Sequence, residues 1–193
     1  MMTKIPLEKI RLGVSGDAGS FSEEAGRLYA GREGIDAEII FAIDMEGVLA
    51  RLDRAEIDLG IFPVVNSQGG LVTQAFEAMG RHEFKLVSEL WLEVQQCLMV
   101  LPGLRRTEIK NIATHPQAIA QCQRFIKREF PEAKIIEWAD TAKAARDLQA
   151  GLLPAATAVI APARAATLYG LELLESNIQD MRPNLTTFII VKR

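Results

Sequence analysis

The sequence predicts an α/β fold with mostly parallel sheets, and three observations predict it. Short apolar runs alternate with longer helical patterns from end to end. Small hydrogen-bonding residues sit where the strands give way to helices. Hydrophobic residues make up 49% of the chain and charged residues 24%, the balance of an ordinary globular protein. The 193 residues suffice for one domain or two small lobes. A chain of this size buries roughly 70% of its unfolded surface and needs no staple.

Residues 10–15 read as the first strand, 21–31 as a helix and 38–41 as a strand. A helix over 44–54 and a strand over 57–64 follow. The spacing of Leu71, Ala75, Ala78 and Met79 puts one apolar face on a helix over 71–81. Residues 86–100 are strand-like with an internal break, and 109–113 form another strand. Then come a helix over 116–130, a strand over 134–138 and a helix over 141–150. A strand over 156–160 precedes a short helix over 162–169, with Pro162 at its start and Gly170 just past its end. Strands over 171–174 and 187–191 finish the chain. Four junctions carry candidate caps: Ser20, Asn66-Ser67, Thr114 and Asp140-Thr141. Ser20 and Glu23 have capping-box spacing. Such junctions line the crevice at strand C-termini, and helix N-termini converging there form an anion site without lysine or arginine.

Composition excludes several classes. Net charge is −3, and no basic cluster favours nucleic acid. No apolar run approaches the ~20 residues of a membrane span. The opening Met1-Met2-Thr3-Lys4-Ile5-Pro6 has no leader-type apolar core, so the expected location is cytoplasmic. Cys97 and Cys122 stand alone and read as small buried hydrophobes, with a disulfide between them left open. His82 is expected at the surface and His115 at a helix start. The two histidines have no metal-ligand spacing, and no cofactor is expected. Gly13–Gly19 follows a strand but lacks both the P-loop and the dinucleotide order. It reads as a close-approach loop for a small anion.

Four segments carry a family resemblance. Gly16-Asp17-Ala18-Gly19-Ser20-Phe21-Ser22 is the first, and Gly60-Ile61-Phe62-Pro63-Val64-Val65-Asn66-Ser67 the second. The third is Thr114-His115-Pro116-Gln117 with Gln121-Cys122, followed by Asp140-Thr141-Ala142. The last is Asn184-Leu185-Thr186-Thr187-Phe188. In this order they resemble the catalytic domain of prephenate dehydratases. Two positions depart: Val65 stands for the family's glutamate, and Thr187 for its arginine. The two changes read as one coupled loss if acid and base pair in ordinary members.

The resemblance implies two lobes of periplasmic-binding-protein-like type with a cleft between them. Residues 1–95 and 176–193 would form one lobe and 96–175 the other, with crossings near 91–97 and 183–188. It implies that Thr186 assists departure of a substrate hydroxyl. Asn66, Ser67, Thr114, Gln121, Ser20, Thr141 and Phe188 would bind a small dicarboxylate, with Arg182 a candidate for its charge. Each also has an ordinary use as a cap, strand residue or core side chain. The resemblance adds a homodimer. It also leads us to expect no feedback by phenylalanine, because the family's C-terminal ACT domain has no counterpart before Arg193. The implied activity is conversion of prephenate to phenylpyruvate. Non-aromatising decarboxylation and non-catalytic binding of a carboxylate are the alternatives.

Overall fold

A computed structural model describes residues 9–193. The N-terminal stretch read above for a leader lies outside them. Two mixed sheets organise the described residues. The first contains β1 (Ile10–Ser15), β2 (Ala37–Ala42), β3 (Leu59–Asn66), the short β4 (Gly70–Leu71), β5 (Lys85–Glu93) and β11 (Leu185–Lys192). Its order is β2-β1-β3-β11-β5, with β4 beside β3. The second contains β6 (Cys97–Val100), β7 (Asn111–Thr114), β8 (Lys134–Glu137), β9 (Thr157–Ala161) and β10 (Glu172–Glu175). Its order is β10-β6-β9-β7-β8.

Helices α1 (Phe21–Glu33), α2 (Met45–Asp53) and α3 (Thr73–Met79) accompany the first sheet. Helices α4 (Pro116–Gln121), α5 (Gln123–Glu129), α6 (Thr141–Gln149) and α7 (Ala163–Tyr169) accompany the second. Four buried apolar clusters result, two for each sheet. Coverage of both faces explains why Val14, Ile61, Ile112 and Ile160 are fully buried in nearly unbroken apolar strands.

The expectation of mostly parallel sheets is corrected. Strands β2, β1 and β3 are parallel, as are β8, β7 and β9. Strand β11 is antiparallel to both neighbours, and β6 likewise. The antiparallel strands adjoin the connections between sheets. The chain leaves the first sheet after Glu93, enters the second at Cys97, and returns between Glu175 and Leu185. The strand-like run over 86–100 is thus two strands in different sheets. These connections bond to each other: Val94 N–H donates to Asn184 O at 2.7 Å, and Ile178 N–H to Gln96 O at 3.0 Å.

Two helices also depart from expectation. The helix over 116–130 breaks at Cys122. The Asp180 carboxylate, from the returning connection, accepts from Arg124 N–H at 2.8 Å and Phe125 N–H at 3.1 Å. The break therefore opens backbone donors that the connection uses. The helix expected from residue 71 starts at Thr73, because Gly70–Leu71 is drawn into strand β4. Cys97 and Cys122 are free and buried, and burial pushes the Cys122 thiol up strongly.

Candidate active site

A cavity of about 580 Å³ takes its walls from both sheets' elements. Ser15, Gly16, Ser20, Pro63, Asn66, Thr186 and Phe188 come from the first side, and His115, Gln121, Asp140 and Thr141 from the second. Gln96, on the first connection, also lines it.

The centre of the site is a chain of neutral amides. Asn66, at the end of β3, is buried, and its Oδ1 accepts from Gln68 N–H at 2.9 Å and Gly69 N–H at 2.7 Å. Backbone N–H groups can only donate, so they fix which end of the Asn66 amide is oxygen. Its Nδ2 must then face the other way, where it donates to Thr186 Oγ1 and Asn184 Oδ1, each at 2.8 Å. Asn184 Nδ2 donates to Gln121 Oε1 at 3.1 Å. Gln96 Nε2 donates to the same oxygen at 3.0 Å. Thr186 is 6% exposed, and with its oxygen accepting from Asn66, its hydroxyl hydrogen remains to be given to something in the cavity. Donation into that oxygen polarises the O–H and makes it a better donor.

The end of the cavity formed by the first loop is different. Gly16 and Gly19 have φ of 87° and 85°, a region costly for other residues. A Cβ on Gly19 would sit 3.3 Å from Ala165 Cα, so the loop needs glycine to approach α7. Ser20 caps α1 by accepting from Glu23 N–H at 3.3 Å, and Asp140 caps α6 by accepting from Lys143 N–H at 2.8 Å. The two helix starts line one cavity. Charged contacts tie this loop to the second sheet's helices. Asp17 pairs with Arg146 at 3.0 Å, Glu23 with Arg164 at 3.0 Å, and Tyr169 Oη donates to Ala18 O at 2.7 Å. Burial pushes the Glu23 carboxyl up, but the Gly19 amide, Arg164 and Arg27 outweigh it and hold it below its ordinary value. Burial, joined by the nearby Asp17 charge, raises Asp140.

The expected residues do not all meet here. Thr186, Asn66, Gln121, Ser20, Thr141 and Phe188 line the cavity. Ser67 and Thr114 do not. Ser67 Oγ accepts from Leu185 N–H at 2.9 Å and holds the returning strand. Thr114 is fully buried, and its hydroxyl donates to Ile160 O at 2.6 Å. His115, one residue on, caps α4 through Nδ1 instead. Asn66 caps the turn after β3 rather than a helix, and both of its amide hydrogens are spent on protein, one of them on Thr186. Arg182 donates to Asn177 O and is not on the cavity wall, whereas Arg81 is. His82, expected at the surface, is part-buried between two exposed carboxylates. It bridges Asp53 at 2.5 Å and Glu46 at 2.7 Å, which raise its pKa in that order. Sequence reasoning gave no role to Gln96, Asn184 or Asp180. The available signals were a Gln95-Gln96 pair at the break of an apolar run and the place of Asn184 at the head of the fourth motif segment.

Val65 and Thr187 face each other across β3 and β11, the pair next to Asn66 and Thr186 in register. Neither lines the cavity. The two departures from the family motif are therefore direct cross-strand neighbours.

A prephenate dehydratase family model matches residues 12–193. The chain belongs to the prephenate dehydratase family. Arogenate dehydratase 5 of Arabidopsis thaliana, a chloroplastic protein, is 37% identical over 186 residues, which are 95% of this chain and 42% of that protein. A solved prephenate dehydratase from Arthrobacter aurescens, in complex with L-Phe, is 29% identical, with a TM-score of 0.85 over 95% of this chain and 60% of that one. A periplasmic substrate-binding protein from Coxiella burnetii superposes with a TM-score of 0.52 at 17% identity over 95% of this chain and 84% of that one, a likeness of fold alone. This dehydratase-family chain thus spans less than half the length of the curated relative. Among its described residues no helix is long and apolar enough to cross a membrane.

Proposed function

We propose that this chain is a lyase that converts prephenate to phenylpyruvate by coupled loss of water and carbon dioxide. The observation that carries the reading is the Thr186 hydroxyl, buried on the cavity wall, with its oxygen held by Asn66 Nδ2 at 2.8 Å. In the reaction the bond from ring to carboxylate breaks, and its electron pair moves into the ring. The bond from ring to hydroxyl breaks with it. The departing oxygen carries off that second pair and leaves as water with a proton from solvent. Thr186 donates a hydrogen bond to that oxygen as its charge grows. A threonine hydroxyl is too weak an acid to give up its proton near neutrality, so its contribution is a preorganised donor.

The first turns of α1 and α6 supply backbone N–H groups for substrate carboxylate at the other end of the cavity. Arogenate, which bears an ammonium group where prephenate bears a keto oxygen, is a second substrate of the same reaction. Asp44, Glu46, Glu77 and Asp140 on the wall, against Arg81 and His115, favour it, as does the name of the Arabidopsis relative. A cytoplasmic location, a homodimer and the lobe boundaries expected from the sequence belong to the same proposal.

The test is incubation with prephenate, followed by detection of phenylpyruvate. Carbon dioxide without an aromatic product would replace the reading by decarboxylation, and thermal stabilisation without turnover by binding alone. Thr186→Ala is expected to lower kcat by about 10²–10⁴-fold with the fold intact. Unchanged turnover removes Thr186 from the role.

A further inference from the structure

Asp44, Glu46, Glu77 and Asp140 bring their carboxylates to the cavity wall, and three of them are already in use. Asp44 caps α2 by accepting from Gly47 N–H at 2.8 Å, and Asp140 caps α6. Glu46 accepts from Arg81 Nη1 at 3.3 Å through one oxygen and meets His82 Nε2 at 2.7 Å through the other. The Glu77 side chain has no hydrogen bond or ion pair among the described residues. A glutamate four residues before an arginine on one helical face ordinarily pairs with it. Here Arg81 is turned away, with Nε donating to Glu77 backbone O at 3.1 Å and Nη1 to Glu46. Its Nη2 is left over. The wall thus presents an unpaired carboxylate and a held guanidinium close together at the end of α3, with no salt bridge between them. The surface that joins them to Thr186 is apolar. Phe188 follows two residues after Thr186, Pro63 stands opposite Phe188 in register, and Val72 and Ala78 belong to α3 and its start.

We propose that Glu77 is the specificity-determining residue of this cavity: its carboxylate accepts from the α-ammonium of arogenate, while Arg81 Nη2 donates to the carboxylate on the same carbon. The assignment rests on the lyase reading above and says which of its two substrates the cavity selects. A neighbouring carboxylate and guanidinium fit a group that carries both charges on one carbon. In both substrates the side chain lies across the ring from the hydroxyl. With the hydroxyl at Thr186 and the ring on the apolar surface, the side chain reaches the end of α3. Prephenate has a keto oxygen in place of the ammonium, so Glu77 there faces an acceptor and gains no hydrogen bond. The ammonium takes no part in bond breaking and keeps its charge throughout. Its contact with Glu77 is therefore equal in the ground and transition states and is expressed in KM.

The test is kcat and KM on both substrates for wild type and variants. Wild type should favour arogenate by about tenfold or more in kcat/KM. Glu77→Gln keeps the shape of an exposed side chain and removes its charge. We expect it to lower kcat/KM on arogenate by about 10–100-fold, chiefly through KM, and to move kcat/KM on prephenate by less than about threefold. Glu77→Asp, which keeps the charge, should fall between wild type and Glu77→Gln. Arg81→Met should raise KM for both substrates by similar factors, because both carry that carboxylate, and leave their ratio within about threefold of wild type. A wild type with no preference for arogenate overturns the assignment. So does a ratio that Glu77→Gln leaves unmoved, which places the ammonium against another wall carboxylate. An equal loss on both substrates overturns it too, because Glu77 then serves the cavity as a whole, as does a ratio that collapses in Arg81→Met and not in Glu77→Gln. A wild-type chain that converts neither substrate overturns the lyase reading, and this assignment with it. A wild type active on prephenate alone overturns the assignment and leaves the lyase reading standing.

Discussion

Two regions bind the halves of this molecule together, and they use opposite chemistry. Along the connections, Asn66, Gln96, Gln121, Asn184 and Thr186 form a buried network without a formal charge. Around the first loop, Asp17–Arg146 and Glu23–Arg164 carry the contact by ion pairs with partly exposed arginines. Amide bonds are directional and insensitive to salt and pH. Ion pairs are longer in reach, screened by salt, and lost when the carboxylate is protonated. The neutral region orients a hydroxyl hydrogen to one side. The charged region holds a glycine-shaped loop against a helix and tolerates small changes of geometry. Orientation and attachment are separate tasks here, and each kind of bond serves the one it suits.

The comparison breaks most visibly at Asn66. Asn66→Asp keeps the shape but turns Nδ2 into an oxygen. Thr186 would then swing its hydrogen toward the new acceptor and away from the cavity. We expect kcat to fall by about 10²–10³-fold with KM changed less than threefold, close to the effect of losing an oxyanion donor. Stability should also fall by about 1–3 kcal/mol, because an acceptor now faces Asn184 Oδ1. A kcat within a factor of three of wild type would mean that the amide does not set the direction of the Thr186 hydroxyl, and the contrast between regions would lose its functional half.

The charged region is tested by pH. Glu23 is 2% exposed, and its pKa lies below the ordinary 4.5 in the folded chain. A depressed carboxyl stabilises the fold above the unfolded value, and that contribution is lost as pH falls through the folded one. Wild-type stability should therefore drop more steeply below about pH 4.5 than that of Glu23→Gln. At neutral pH the same variant should lose about 1–3 kcal/mol, less than a fully buried pair would, because Arg27 and Arg164 remain half exposed. Parallel acid limbs in urea titrations of the two proteins would show that Glu23 is not the group responsible.

How much was legible beforehand follows the same division. Apolar alternation located nearly every strand and helix, since burial of both sheet faces leaves a local mark on the chain. Thr186, Asn66, Gln121, Ser20, Thr141 and Phe188 were named from motif segments and do line the cavity. Ser67 and Thr114 were named on the same grounds and do not, because a hydroxyl at a strand end serves the nearest backbone group first. The amide network was not readable. Asn66 and Asn184 are 118 residues apart, and periodicity says nothing about contacts at that range. Mixed strand direction escaped for a similar reason: β11 and β6 take their sense from where the chain crosses between sheets, which no local pattern records.

The smallest expected effect concerns Val65 and Thr187. They sit one register step from Asn66 and Thr186, directly opposite each other, and neither lines the cavity. The neutral character of the connection side thus extends to the two positions where the family motif has an acid and a base. Val65→Glu or Thr187→Arg alone introduces a charge without a partner into a half-buried strand pair, and each should destabilise by about 1 kcal/mol. Together they meet across the strands, and the cross-strand pair should return about 0.2–1 kcal/mol as a favourable coupling in a double-mutant cycle of unfolding free energies. If the residues are a coupled loss from an ordinary pair, turnover in the double variant will match or exceed wild type while each single variant falls below it. A coupling of zero, with activity falling additively, would mean that this strand pair has been rebuilt around apolar contacts. Val65 already packs against the cluster of Phe62, Val64 and Ile189, so the neutral side of the molecule would then be a packed arrangement in its own right and not a charged one with two residues removed.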